Sequence, residues 1–191
     1  PNALRAASSR ILIDHEVIDT DMSGKNSVSQ FKIVDGGNVP LIENDIQRHY
    51  DDAETAVRYA IEKGVLPVSI GGDDGITNPV IRGLDGLNDI TIIQIDAHLD
   101  WRDERFGEKD GYSSPMRRAS ELEHISAIHQ IGIRSFGSSK KSDLEEARQW
   151  GAKIHSAQKI HADGMKSVVD SLPVGGQFFV SLDVDCLDPS A

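Results

Sequence analysis

Residues 91–100 constrain the fold of this chain more than any other stretch, and they read TIIQIDAHLD. The stretch begins as a nearly unbroken apolar run, which is typical of a parallel strand buried on both faces. It then places Asp96, His98 and Asp100 at alternate positions, whose side chains point to one side of an extended chain. Open parallel sheets hold their ligands at the carboxyl ends of strands. The pattern therefore predicts a metal site at the end of this strand.

The rest of the chain alternates between helix and strand patterns. Apolar residues at helical spacing predict a helix over residues 45–63, and short apolar runs predict strands at residues 65–70, 126–133 and 177–182. This alternation predicts an α/β fold, a three-layer αβα arrangement with a mainly parallel sheet. We expect residues 1–191 to form a single domain that is incomplete at both ends and lacks its C-terminal portion.

Composition narrows the class of partner. Acidic residues outnumber basic ones 31 to 20, for a net charge of −11, which argues against nucleic acid as a partner. No apolar run approaches the roughly 20 residues of a membrane span, and no charged-then-apolar pattern predicts secretion. Its one cysteine, Cys186, excludes an internal disulfide framework and favours a reducing compartment. We therefore expect a cytoplasmic protein with no membrane partner.

Acidic residues follow three predicted strands in tight spacing, and the sheet would bring these strand ends together. The clusters are Asp73-Asp74, Asp96/His98/Asp100 and Asp183/Asp185. A single aspartate after a strand is usually a turn residue or helix cap, and an Asp-x-Asp pair is common by chance. Mostly oxygen ligands with one nitrogen suit Mn²⁺ or Mg²⁺ better than structural zinc. The carboxylates suffice to bridge two ions roughly 3.5–4 Å apart, as in hydrolytic two-metal sites.

Three sequence blocks also resemble the signatures of a known family. Residues 71–74 (GGDD), 96–100 (DAHLD) and 181–189 (SLDVDCLDP) are similar in order and spacing to those of the ureohydrolases, which include arginase and agmatinase. Residues 112–119 and 132–134 are similar to segments of the agmatinase-like branch. The resemblance implies an arginase-like fold, a homo-oligomer, and hydrolysis of a small cationic guanidino substrate to an amine and urea. Agmatine is the first substrate that the resemblance implies.

The resemblance implies two Mn²⁺ ions per chain as cofactors. Six side chains are implied as their ligands: Asp74, Asp96, His98, Asp100, Asp183 and Asp185. Asp96 and Asp183 would bridge the ions, Asp74 and Asp100 would complete the shell of the first ion, and His98 and Asp185 that of the second. A hydroxide held between the metals would attack the guanidinium carbon. Asp100 would have the catalytic role of orienting that hydroxide.

The chain departs from the family pattern in three places. Asp74 stands where the family has a histidine. Residues 112–115 read YSSP where the family has a histidine that shuttles a proton. The sequence also stops just after the third block, where the family continues with an acidic residue that grips the guanidinium.

Four more residues are candidates for supporting roles. Asp73 and Arg134 are candidates to support the metal ligands through hydrogen bonds without binding a metal themselves. Trp101 and Ser114 are candidates for the substrate pocket, although Trp101 could equally belong to the core.

Two other functions remain open from the sequence. One is a non-catalytic, metal-binding relative of the ureohydrolases, motivated by Asp74 and by the missing shuttle histidine. The other is a metal-dependent glycosyltransferase that uses Asp183 and Asp185 as its acid pair. The second leaves the cluster around His98 unexplained, and a structure with Asp183 remote from His98 would favour it.

Overall fold

The computed structural model describes residues 2–8, 32–134 and 136–188, in two compact units of residues 1–40 and 41–191. In the first unit, helix α1 (Asn2–Ser8) carries Arg5, whose guanidinium pairs with the carboxylate of Asp35. The prediction of one domain that is incomplete at both ends is not tested by this structure and stays a prediction.

The second unit alternates strands and helices, as its apolar periodicity predicts. Its helices are α2 (Ile46–Glu62), α3 (Thr77–Arg82), α4 (Pro115–Ala119), α5 (Lys141–Trp150), α6 (Ala157–Asp163) and α7 (Lys166–Val169). Its strands are β1 (Ile90–Ile95), β2 (Ile125–Ile133), β3 (Lys153–Ser156) and β4 (Gln177–Leu182). Across the described residues, no helix has both the length and the apolar character that crossing a membrane would require.

The four strands form one parallel sheet in the order β3-β2-β1-β4. The predicted α/β class with a mainly parallel sheet is therefore confirmed. Strand β1 lies inside the sheet, where Ile95 pairs with Ile131 on β2 and with Leu182 on β4. Because all strands run the same way, the residues that follow β1 and β4 emerge side by side.

The core forms where β1 and β2 pack against the helices. Its largest fully buried side chains include Ile81, Ile92, Met116 and Ile128, each at most 1% exposed. Burying a side chain of this size contributes about 1.5–3 kcal/mol, less the cost of ordering it. This packing holds β1 in place, so the residues at its carboxyl end rest on a rigid base.

The strand predicted at residues 65–70 is wrong for this structure. These residues have no regular secondary structure, and Leu66 and Val68 are more than 80% exposed. An apolar segment becomes a strand only where a neighbouring strand supplies hydrogen bonds. In the described part of the chain, β4 is an edge strand, and an apolar groove of about 590 Å³ lies between it and these residues.

Candidate metal centre

A cavity of about 310 Å³ opens at the carboxyl ends of β1 and β4. Most of the predicted ligands line it, and Asp96 lies buried beside it. The acidic and imidazole side chains on its wall are Asp73, Asp74, His98, Asp100, Asp183 and Asp185. The structure therefore brings the three acidic clusters of the sequence to one place.

Backbone hydrogen bonds align the ends of the strands that carry these ligands. The amide of Asp96 donates to the carbonyl of Ile131 at 3.0 Å, and the amide of Asp183 donates to the carbonyl of Ile95 at 3.0 Å. Gly132 lies beside this point with a φ of +99°, and a Cβ there would be 3.1 Å from the carbonyl oxygen of Asp96. Glycine is required here by both its φ and this close approach.

The first group of ligand atoms comes from Asp74, Asp96 and Asp100, whose carboxylate oxygens lie within 4.8 Å of one another. Asp74 opens a short 3₁₀ turn after the glycines, and its Oδ1 accepts a hydrogen bond from the Thr77 hydroxyl at 2.8 Å. Its Oδ2 is buried and has no hydrogen-bond partner among the described residues. A buried carboxylate oxygen without a partner is costly unless a cation or a water completes it.

The second group comes from Asp96, His98 and Asp185, again within 4.8 Å of one another. The Nδ1 of His98 lies 2.9 Å from Oδ2 of Asp185, and the backbone amide of His98 donates to Oδ1 of Asp96 at 2.6 Å. Asp96 is the one member common to both groups. It therefore lies where a carboxylate could bridge two adjacent cations.

Asp183 lines the same cavity but belongs to neither group. Its Oδ1 accepts a hydrogen bond from the backbone amide of Asp185 at 2.9 Å, so it caps the turn that presents Asp185. Its bridging role stays a prediction.

Burial raises the pKa values of the three acids in the first group. Removal from water, the largest effect, together with the nearby charge of Asp96, raises the pKa of Asp74 to about 7. Burial also raises the pKa of Asp96, and the pKa of Asp100 rises well above its usual range through burial and the charges of Asp96 and Asp74. Three neighbouring acids with raised pKa values are typical of a site that cations complete.

The sequence interpretation missed one residue of this site, Gln94. Its side chain is fully buried, and its amide donates to Oδ2 of Asp96 at 2.9 Å and to Oδ2 of Asp100 at 2.7 Å. The available signal was its position two residues before Asp96, which places both side chains on one face of β1. A polar residue inside an otherwise apolar buried strand needs a partner, and here the partners are two of the predicted ligands.

The two pocket candidates are placed elsewhere. Trp101 is 1% exposed and packs in the core with its ring centroid 6.0 Å from that of Trp150. The carbonyl of Asp100, a residue with a φ of +48°, accepts hydrogen bonds from the first turn of α4, which ties the chain to the core just before Trp101. Ser114 is fully buried, and its neighbour Ser113 lines the cavity in its place.

The two supporting candidates contact backbone atoms. Arg134 donates from Nη2 to the carbonyl oxygens of Asp185 and Leu187, so it holds the turn that carries a ligand and not the ligand's carboxylate. The side chain of Asp73 accepts a hydrogen bond from the amide of Gly75 at 2.8 Å and caps the turn that presents Asp74.

Comparison with known proteins finds a matching family model and relatives of similar sequence. The family model described as "Arginase family" matches residues 1–191. The agmatinase of Bacillus subtilis (strain 168) is 31% identical over 191 residues, which is 100% of this chain and 62% of the relative.

Two solved structures share the architecture. Agmatine ureohydrolase of Thermoplasma volcanium is 26% identical, with a TM-score of 0.67 over 78% of this chain and 49% of that one. A Mn²⁺-bound triple mutant of the T. brucei arginase-like protein is 24% identical, with a TM-score of 0.63 over 82% of this chain and 48% of that one. The chain thus spans about half to three-fifths of the length of these relatives. The likeness confirms the predicted arginase-like, three-layer fold.

Proposed function

Because this chain belongs to the arginase family, we propose that it carries the metal centre of an amidinohydrolase. This enzyme would hydrolyse the guanidino group of a small cationic substrate to an amine and urea. Agmatine is the first substrate to test, given the agmatinase among the relatives. The single observation that carries the proposal is the pair of ligand groups that share Asp96 at the end of β1. We also propose that the protein is a homo-oligomer, which the family resemblance implies, and that it is cytoplasmic, which its single cysteine favours.

The residues present fit two divalent cations. Asp74, Asp96 and Asp100 would hold one, and Asp96, His98 and Asp185 would hold the other, with Asp183 beside them. The unpartnered Oδ2 of Asp74 is an available ligand atom. Carboxylates with one imidazole suit Mn²⁺, the ion bound by the triple mutant of the T. brucei arginase-like protein. We therefore propose two Mn²⁺ ions per chain.

The other roles in the reaction fall to side chains on the cavity wall. When bound, two such cations lower the pKa of a water between them and stabilise developing negative charge. Asp100, which Gln94 holds through a hydrogen bond to Oδ2, would accept a hydrogen bond from the attacking water and orient it. Negative side chains on the cavity wall would favour a cationic guanidinium. Arg105 adds a positive charge to the same wall. The charge that the site prefers at the end of the substrate away from the guanidinium must therefore be tested separately.

The experiment that tests the proposal is urea release by the Mn²⁺-loaded full-length protein. We expect turnover of at least one of agmatine, arginine, guanidinobutyrate and guanidinopropionate, a panel that varies the charge opposite Arg105. Inductively coupled plasma analysis of the same sample should give two Mn²⁺ per chain. Absence of urea from all four substrates in a fully loaded sample would refute the enzymatic proposal.

A non-catalytic, metal-binding relative is the second candidate. It is favoured by the cavity wall, where His98 is the one histidine among the described lining residues, so no separate imidazole is placed to move a proton. The glycosyltransferase alternative is not favoured, because Asp183 and His98 line the same cavity and are not remote from each other.

Asp74→His separates the two candidates. Replacing a carboxylate with an imidazole removes one negative charge, which should strengthen the Lewis acidity of the first metal site. We expect kcat to rise roughly tenfold with two Mn²⁺ retained, because the attacking water should lose its proton more readily. The matched control is Asp85→His, which makes the same chemical change at a surface carboxylate that pairs with Arg58. Stoichiometric metal in both Asp74→His and the parent protein, with no turnover by either, would favour the non-catalytic function.

A further inference from the structure

We propose that Gln94 and Gln130 form a buried amide relay that orients Asp96 and Asp100 toward the metals. Gln94 is then a positioning residue. The inference rests on the proposed metal centre, but it concerns residues that are not ligands. Both glutamines are fully buried, at 0% exposure, on the adjacent strands β1 and β2, where they pair directly.

The hydrogen bonds of the relay fix the direction of every amide in it. The backbone carbonyl of Leu99 can only accept, and Nε2 of Gln130 donates to it at 2.6 Å. The same nitrogen donates to Oε1 of Gln94 at 2.6 Å. The NH₂ group of Gln94 must therefore face the other way, toward Asp96 and Asp100.

Glutamine is chemically matched to this position. Its NH₂ group has two donors, and it gives one to each carboxylate, at 2.9 Å to Asp96 and 2.7 Å to Asp100. A neutral donor lowers the cost of holding two acids side by side without cancelling the charge that a cation needs. Lysine or arginine would add a competing positive charge in the same space.

One oxygen of each carboxylate is occupied by Gln94, so the rotation of both groups is restrained before any metal binds. Groups that hydrogen-bond to metal ligands typically change metal affinity 10- to 100-fold when removed. Gln130 acts one step further away, because it sets the orientation of Gln94 without touching a carboxylate. The relay therefore predicts a graded effect, largest at Gln94.

The test is Mn²⁺ titration by calorimetry on the full-length protein, with circular dichroism to establish folding. Gln94→Met removes both donors at similar length, and Gln94→Glu keeps the shape while replacing the NH₂ group with an acid. We expect each to weaken Mn²⁺ binding 10- to 100-fold, and Gln130→Met to weaken it by several-fold. Thr91→Val, an isosteric change at a buried polar residue of β1, should leave the affinity unchanged.

A purely structural role would lower stability and leave Mn²⁺ affinity intact, which would overturn the inference. If either single variant fails to fold, Gln94→Asn keeps a neutral amide and withdraws its NH₂ group from both carboxylates by one methylene group. It should still bind Mn²⁺ at least tenfold more weakly than the parent, and parental affinity in it would equally overturn the relay. A parent protein that binds no Mn²⁺ would instead remove the metal centre itself, and the relay with it.

Discussion

Asp96→Asn should abolish binding of both Mn²⁺ ions and reduce urea formation at least ~10³-fold. Asp96 is the member that the two ligand groups share, so one substitution removes a ligand from each. It is also 1% exposed, and the replacement amide would point a donor at the NH₂ of Gln94 or at the amide of His98. Loss of charge and loss of geometry therefore act together at this position.

The measurement combines metal content, calorimetric Mn²⁺ titration and urea release on the folded variant. Asp85→Asn is the matched control. It makes the same chemical change at a surface aspartate, which pairs with Arg58. We expect Asp85→Asn to keep both ions and full turnover. If Asp96→Asn retained two Mn²⁺ ions at parental affinity, the two groups could not be joined through Asp96 and the proposed centre would be wrong.

The sequence sufficed to predict the parts of the site that follow from local pattern. The apolar run before Asp96 predicts a buried strand whose carboxyl end carries Asp96, His98 and Asp100. The strand ends at Ile95, so alternation does not hold through Asp100, and Asp96 is grouped with Asp100 on one side and with His98 on the other. The parallel sheet then brings Asp185 to the same edge, through a register in which Ile95 lies opposite Leu182. These steps need only the apolar pattern of the strands and their common direction.

Other features depend on packing, which local sequence leaves open or hides. Trp101 follows a predicted ligand, but hydrogen bonds from the first turn of α4 to Asp100 hold the chain so that its ring enters the core. Residues 65–70 have the composition of a strand, yet strand formation depends on a partner that local sequence does not reveal. Gln94 was missed because its function depends on Gln130, which lies 36 residues away along the chain.

The metal-free protein should lose stability as the pH rises from 5 to 8, opposite to the usual behaviour of paired acids. Burial raises the pKa of Asp74 to about 7, whereas an aspartate in an unfolded chain has a pKa near ~3.9. Between these values the folded state holds the proton and the unfolded state does not. The free energy of unfolding therefore falls as pH rises, by roughly 3 kcal/mol from this group, with a further loss in the same direction from Asp100.

Urea denaturation followed by circular dichroism in EDTA, at pH 5, 6, 7 and 8, measures this slope. Other groups act against it: burial lowers the pKa of His129 and His155, which costs stability as the pH falls below about 6.5. The difference between the parent and Asp74→Asn isolates the contribution of Asp74, because asparagine does not titrate. At pH 8 Asp74→Asn should be more stable than the parent, because asparagine places no charge at this buried position. Its advantage should shrink as the pH falls to 5 and the parent protonates Asp74. An advantage that does not change with pH would contradict the prediction. Saturating Mn²⁺ should reverse the slope of the parent, since a cation bound by Asp74, Asp96 and Asp100 favours their ionised forms and stabilises the folded state most where those forms dominate.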